Sequence, residues 1–488
     1  MRSLHGMTTT CILLLSICMP GAADVPPGMP DQGVLRLPDV IALVLEHNPE
    51  LATYPFDIRA AEARQLQARQ RPNPELSLEI EDIRLSGAAS QHRVSTVTGL
   101  GRGAIGSSFI TEWSKDSETS SGGLFSEAEV TVSLSQVIEL GGKRAKRMAA
   151  AARERDSASW DYEIARANVL ETTAKTFIEC VAAQERVTLD QELVTLAEQV
   201  LRTVSARVEA GRVSPLEVKK AETALASARL QAGNSARDLV AARTALAALW
   251  GEPAARFDRL EGWLEPVKDI PPLESLQERM KKNPDLARWG AESEKRNAVV
   301  ALERAKAIPD VSVSAGYRAR HNAGAKGSEW ALGSEGIRRS RYSLESEDRW
   351  DSLLVLGVAI PLPIFNRNQG GIKEAEHLAA KATAERHAVH ARTIAALAQT
   401  YQDLSNAQAA IQTLKSSVLP SALETFNALN EAYTQGKFGF LDVLDAQRTL
   451  FDARERHLSA LSAYHQNVAM VERLLGETLW PDDAQPSE

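Results

Sequence analysis

The sequence predicts a mainly α-helical protein with a β-barrel part, assembled from two copies of one helix and strand-pair unit. Three observations carry this: a duplication at fixed offsets, long amphipathic stretches almost free of glycine and proline, and short segments in which apolar and polar residues alternate. Asn48-Pro49-Glu50-Leu51 recurs as Asn283-Pro284-Asp285-Leu286, and Pro74-Glu75-Leu76 as Pro309-Asp310-Val311, both displaced by 235 positions (48 to 283, 74 to 309). Later the displacement is 225: Gly211, Leu216, Val218, Ala221, Leu225, Arg229 and Gly251 return as Gly436, Leu441, Val443, Ala446, Leu450, Arg454 and Gly476. Self-similarity on this scale signals pseudo-symmetric halves that complete one structure. The resulting division is a signal peptide over 1–23, a first repeat over 24–252, a linker over 253–272 and a second repeat over 273–488.

Composition narrows the class. The 488 residues are 44% hydrophobic and 25% charged, the balance of an ordered protein. Aromatic residues are only 5%, which suits long alanine-rich helices better than a large enzyme core. A net charge of -8 argues against nucleic acid as a partner, since its backbone demands a basic footprint. No grouping of nucleophile, base and orienter supports catalysis, so the chain reads as a non-enzyme without cofactor.

The N-terminus reads as an export signal. Arg2 supplies the positive charge, Cys11 to Met19 the apolar core, and Gly21-Ala22-Ala23 a small-residue cleavage site, so the mature chain begins near Asp24. Leu15-Ser16-Ile17-Cys18 approximates a lipid-attachment box, with bulky Ile17 where a small residue is wanted. Cys180 then remains alone on a helical pattern and reads as a buried structural thiol. No later stretch holds the roughly 20 apolar residues of a membrane helix.

Between Gly142 and Gly211 there is neither glycine nor proline, and Leu170, Ala174, Phe177 and Val181, then Ala197, Leu201, Val204 and Val208, recur in helical steps. Its counterpart runs from Ile372 to Gln435, with Pro420 as a kink or joint. Shorter helices are expected over Asp39 to Gln70, Pro215 to Trp250, Leu273 to Ala307 and Leu441 to Leu475. Helices of this length pack as coiled coil, within the chain or between chains.

Strands are expected at about 75–84, 127–138, 310–318 and 351–363. Leu76, Leu78 and Ile80 alternate with Glu75, Ser77, Glu79 and Glu81, and Leu354, Leu356, Val358, Ile360 and Leu362 share one face of the last strand. One apolar and one polar face fits either a soluble sheet wetted on one side or a membrane barrel with water inside. The barrel is favoured by the Gly/Ser-rich segments joining each strand pair (Ser86 to Ser126, Arg320 to Asp348) and by Trp113, Trp330, Tyr342 and Trp350 in or beside them. Four strands cannot close a barrel, for which about eight are needed, whereas three chains would supply twelve.

The order of helices and strand pairs, the duplication, and the segments Leu134-Ser135-Gln136-Val137-Ile138-Glu139-Leu140-Gly141-Gly142-Lys143-Arg144 and Ile360-Pro361-Leu362-Pro363-Ile364-Phe365-Asn366-Arg367-Asn368-Gln369-Gly370 resemble TolC-type outer-membrane efflux proteins. The pair of segments is most similar to the heavy-metal branch, the outer-membrane subunits of cobalt-zinc-cadmium or copper-silver exporters. This resemblance covers nearly the whole mature chain. It implies a homotrimer with a twelve-stranded barrel in outer-membrane lipid, continuous with a periplasmic helical barrel. It also implies a periplasmic adaptor (membrane fusion) protein and an inner-membrane pump of the RND type as partners.

Under that resemblance the functional residues lie at two helix turns, Glu209 to Pro215 and Thr434 to Phe440. Gly211, Arg212 and Val213, with Gly436, Lys437 and Phe438, are the expected adaptor-docking tips, and a glycine in each allows a sharp reversal. Asp442 and Asp445 match a family aspartate pair at a closed periplasmic aperture. Spaced three apart they share a helix face, and three chains would gather six carboxylates that attract cations. Apart from the resemblance, they read rather as ordinary surface acids near a helix N-terminus, where negative charge is favourable; the resemblance reverses that preference. Tyr433 takes the place of a family tyrosine linking neighbouring helices, Glu217 stands where its partner is an aspartate, and Phe438 replaces an arginine of the interchain network.

Other signals are discounted. Gly101 to Gly106 has dinucleotide-fingerprint spacing without a strand-to-helix context. His387 and His390 share a helix face but lack a third ligand. The acidic row Glu75, Glu79, Glu81, Glu127 and Glu129 fits a cation-attracting lumen or a solvated face. The leading expectation is an exit duct for an energised pump, exporting heavy-metal cations. A duct for organic toxicants or secreted polypeptides, and a periplasmic coiled-coil scaffold without a pore, are the alternatives.

Overall fold

The structure is a computed structural model that describes residues 32–83, 90–99, 110–119, 128–262, 264–265, 267–322, 329–333, 336–340 and 349–480. The signal segment 1–23 with Cys11 and Cys18, the Gly101 to Gly106 run, Glu127 and Tyr342 lie outside them.

Each expected first helix is broken at its Asn-Pro pair. α1 (Leu37–His47) gives way to a short 3-10 turn and then α2 (Tyr54–Ala68), and in the second half α5 (Leu273–Arg279) gives way to α6 (Pro284–Lys306). A residue before proline is pushed out of the helical region, and Asn48 and Asn283 take ψ of 121° and 125°. The freed side chains then do equivalent work: Asn48 Nδ2 donates to the Leu249 carbonyl at 2.7 Å, and Asn283 Nδ2 to the Leu474 carbonyl at 2.8 Å. Donors displaced by 235 positions thus meet acceptors displaced by 225 (249 to 474), so both offsets of the duplication meet in one contact.

The long helices are α3 (Lys143–Glu209), α4 (Pro215–Ala248), α7 (Gln369–Thr413), α8 (Leu419–Thr434) and α9 (Phe440–Leu475). Pro420 falls in the first turn of α8, directly after a π turn over Leu414–Val418. Its ring excludes the carbonyl four residues back, and the wider π turn accommodates that displacement. On α3 the buried row is Ala165, Val169, Thr173, Phe177 and Cys180; Leu170 and Ala174 of the expected stripe lie half-buried at its flank. Thr173 is tolerated inside because its hydroxyl donates to the Val169 carbonyl at 2.7 Å. Burial pushes the Cys180 thiol up to about 11, which leaves it inert.

Four strands, β2 (Glu75–Glu81), β5 (Glu129–Ile138), β7 (Val311–Asn322) and β10 (Arg349–Ala359), form one antiparallel sheet in the order β10-β7-β5-β2. Leu76, Leu134, Ala315 and Leu356 make one cross-strand row and Leu78, Val132, Tyr317 and Leu354 the next. This apolar face is open, with Leu76 and Leu354 each 75% exposed. Among the described residues no helix is long and apolar enough to cross a membrane.

Several strand boundaries and connections differ from expectation. β2 stops at Glu81 because Asp82 takes a left-handed φ of 57°. β7 continues to Asn322, held by pairing with β10 as far as Arg349. The segments read as Gly/Ser-rich loops contain further hairpins, β3 (Ser90–Gly99) with β4 (Ile110–Thr119) and β8 (Glu329–Gly333) with β9 (Gly336–Ser340). β3 and β4 are largely polar on both faces, and β8 and β9 are only five residues each, too short for apolar periodicity to reveal them. The segment read as a linker contains β6 (Phe257–Glu261), which pairs in parallel with β1 (Gln32–Arg36) around buried Leu35 and Leu260.

The chain forms two compact units, each drawing on both halves of the sequence. One comprises the described residues within 1–49, 168–271 and 400–473; the other comprises those within 50–167, 272–399 and 474–488. The four-stranded sheet belongs to the second unit, and the helix turns at Gly211 and Gly436 to the first.

Candidate functional site

Residues 210–214 join α3 to α4, and residues 435–439 join α8 to α9. Both turns use one device. Gly211 and Gly436 take φ of 68° and 81°, a region costly for residues with a Cβ. Arg212 N then donates to the Arg207 carbonyl and Lys437 N to the Ala432 carbonyl, both at 2.9 Å, closing the helix ends as Schellman motifs. The following helices are capped in turn. Ser214 Oγ accepts from Leu216 N at 3.3 Å, and Asp442 Oδ2 accepts from Gly439 N at 3.0 Å.

Beneath the turns, α3, α4, α8 and α9 share a core of Val200, Val204, Ala221, Phe426, Phe440, Val443 and Leu450. Tyr433 sits at its end, 2% exposed, with its ring 6.1 Å from that of Phe440. Its hydroxyl donates to Glu217 Oε2 at 3.2 Å, joining α8 to α4. Burial, and then the adjacent Glu217 carboxylate, raise the Tyr433 phenol above its usual range, so it remains a protonated donor. The structure therefore brings Tyr433 and Glu217 together.

Phe438 is half exposed and separate from the Tyr433 hydrogen bond. It borders a groove of about 690 Å³ on α8 and α9, lined also by Val418, Thr425, Asp442 and Asp445. Both aspartates are exposed and open onto this groove, and Asp442 caps α9 as well. Gly211, Arg212, Gly436 and Lys437 are exposed at the turns, with Val213 half-buried.

Sequence reasoning missed Arg207. Its guanidinium carbon lies 4.3 Å from the Tyr433 ring centroid, and Nη1 donates to the Tyr433 carbonyl. The available signal was a cation at helical spacing from Val200 and Val204, one turn before the glycine. The acidic row on the sheet also needs correction. Glu129 is buried and pairs with Arg318 at 2.6 Å, while Glu79 lies in a row with Thr131 and Arg318, and Glu81 in a row with Glu129, Arg320 and Asp351. This face carries both signs of charge, because β7 extends past the expected strand and brings Arg320 with it. His387 and His390 are exposed on α7, and among the described residues no cluster of three or more His, Cys, Asp or Glu is arranged to hold a metal ion.

The sequence profile of the outer membrane efflux protein family matches residues 40–252 and 275–477, and the chain belongs to that family. It is 33% identical over 444 residues to the cobalt-zinc-cadmium resistance protein CzcC of Cupriavidus metallidurans, covering 91% of this chain and 90% of that one. It is 25% identical over 365 residues to the pyoverdine export outer membrane protein OpmQ of Pseudomonas aeruginosa, covering 72% and 70%. Among solved structures the fold is similar to the outer membrane protein VceC of Vibrio cholerae, with a TM-score of 0.65 and 18% identity over 91% of this chain and 97% of that one.

Proposed function

We propose that three copies of this chain form the outer-membrane exit duct of a tripartite efflux system for heavy-metal cations. The observation that carries this is the sheet: four strands, two open edges at β2 and β10, and one exposed apolar face. Such a sheet is too small to close alone, and three copies supply twelve strands with lipid outside and the mixed-charge face towards water. Asp442 and Asp445 form the constriction, six carboxylates in the trimer, and Tyr433, Glu217 and Phe438 are gate contacts. The exposed turns Gly211-Arg212-Val213 and Gly436-Lys437-Phe438 dock a periplasmic adaptor, which links the duct to an RND-type inner-membrane pump.

The cargo reading is supported by the near full-length similarity to CzcC, named for cobalt-zinc-cadmium resistance. The similarity to OpmQ, named for pyoverdine export, favours a second, organic cargo, since a water-filled duct need not recognise what it passes. Metal accumulation in cells lacking the chain separates the two: retained zinc, cobalt or cadmium supports the first, and unchanged metal content with a retained organic compound supports the second. The duct itself is tested in planar bilayers. Replacing Asp442 and Asp445 by Asn keeps side-chain size and removes six charges, so cation selectivity and block by multivalent cations should fall while the trimer persists. Equal selectivity in both proteins would move the constriction elsewhere, and a monomer in the soluble periplasmic fraction would remove the pore altogether.

A further inference from the structure

We infer that Arg207 is a positioning residue that holds the constriction closed from within one chain, by clamping the last turn of α8 onto α3. The inference rests on the proposed constriction at Asp442 and Asp445. Arg207 makes two contacts with one residue: its guanidinium lies 4.3 Å from the Tyr433 ring centroid, and Nη1 donates to the Tyr433 carbonyl. That carbonyl belongs to the final turn of α8, where it also accepts from Gly436 N at 2.9 Å and where the helix end is electronegative. A cation there takes the carbonyl's second lone pair and complements the dipole. The ring face adds a further attraction that strengthens when water is excluded.

The surroundings fit a clamp. A Cβ added at Gly436 would lie 3.6 Å from Arg207 Nη2, so the turn packs closely against the guanidinium. Among the described residues Arg207 Nε is buried without a hydrogen-bond partner, and the guanidinium is held at the ring and the carbonyl. Tyr433 is thus held from two helices, by Arg207 of α3 and, through its hydroxyl, by Glu217 of α4. Residues 435–439 alone separate α8 from the helix bearing Asp442 and Asp445. Any movement that draws those carboxylates outward must move this turn, and therefore pull Tyr433 off Arg207. The clamp also accounts for Phe438: with no cation at 438 to bind a neighbouring chain, the cation that secures this turn comes from α3 of the same chain.

The test is single-channel recording on intact trimers. Arg207→Gln should raise time-averaged conductance on the order of tenfold, the factor set by one desolvated cation–π contact. Arg207→Lys keeps the cation and should remain mostly closed. Tyr433 variants separate this clamp from the hydroxyl contact: Tyr433→Leu, which removes the ring, should open the channel, and Tyr433→Phe, which keeps it, should open it far less. They decide the matter if Arg207→Gln fails to assemble. Arg207→Gln conducting like wild type, or Tyr433→Phe opening as fully as Tyr433→Leu, would overturn the clamp. The Asp442/Asp445 variant recorded alongside distinguishes the readings: if it loses selectivity while Arg207→Gln is silent, only the clamp fails, and if neither changes conduction, both fail.

Discussion

Replacing Asn283 by Ala tests whether the two halves are joined as the structure requires. Asn283 is fully buried; its Oδ1 accepts from Leu286 N at 3.0 Å, and its Nδ2 donates to the Leu474 carbonyl at 2.8 Å. Loss of the cap costs about 1 kcal/mol. Leaving the carbonyl at the end of α9 without this donor costs a further ~1–3 kcal/mol. The sum, about 2–4 kcal/mol, corresponds to local opening on the order of a hundredfold more frequent, and amide exchange reads such opening directly. Hydrogen exchange with mass spectrometry on the detergent-solubilised protein should therefore show faster exchange in peptides covering both Asn283–Leu286 and the end of α9. Asn283→Ser retains a good cap but cannot reach Leu474, so exchange should rise at the end of α9 and little at the start of α6. Asn48→Ala should reproduce the effect at the end of α4, where Leu249 loses its donor. Acceleration confined to the first turn of α6 would refute the reasoning, because the contact across the duplication would then contribute nothing.

Phe177→Asp should abolish trimer yield, since a carboxylate would replace a side chain only 5% exposed, whereas Leu201→Asp, at a half-buried site, should be milder; equal yields would mean the α3 face is misassigned. Gly436→Ala should cost about 1–2 kcal/mol because Cβ meets the following carbonyl at positive φ, read as a lower trimer dissociation temperature. Burial lowers the His457 and His465 imidazoles below their ordinary range, and His465 Nε2 donates to the Leu264 carbonyl at 2.8 Å. The unfolded chain then takes up protons first as pH falls through about 6.5, so stability should decline below that pH and stay flat above it. His465→Gln should reduce that slope in thermal melts between pH 5 and 8, and an unchanged slope would place the effect elsewhere.

Sequence by itself determined the duplication, the helix–strand order, the glycine turns and the alternating faces of four strands. These are local properties, set by periodicity, by proline geometry and by the one residue that takes positive φ freely, so they are legible without neighbours. Tyr433 and Glu217 were legible through family resemblance. Tertiary structure decided what depends on a second element. The β3–β4 hairpin is largely polar on both faces, the strands of β8–β9 are too short to show a period, and the parallel pairing of β1 with β6 joins residues more than 200 positions apart. Glu129 becomes half of an ion pair only when β7 lies beside β5. Arg207 carries no signal of its own on the helix; it becomes a clamp because the packing of α3 against α8 sets a ring and the helix-end carbonyl of Tyr433 before its guanidinium. A side chain's chemistry is written in the sequence, but its partner is chosen by packing, because burial decides which contacts replace water.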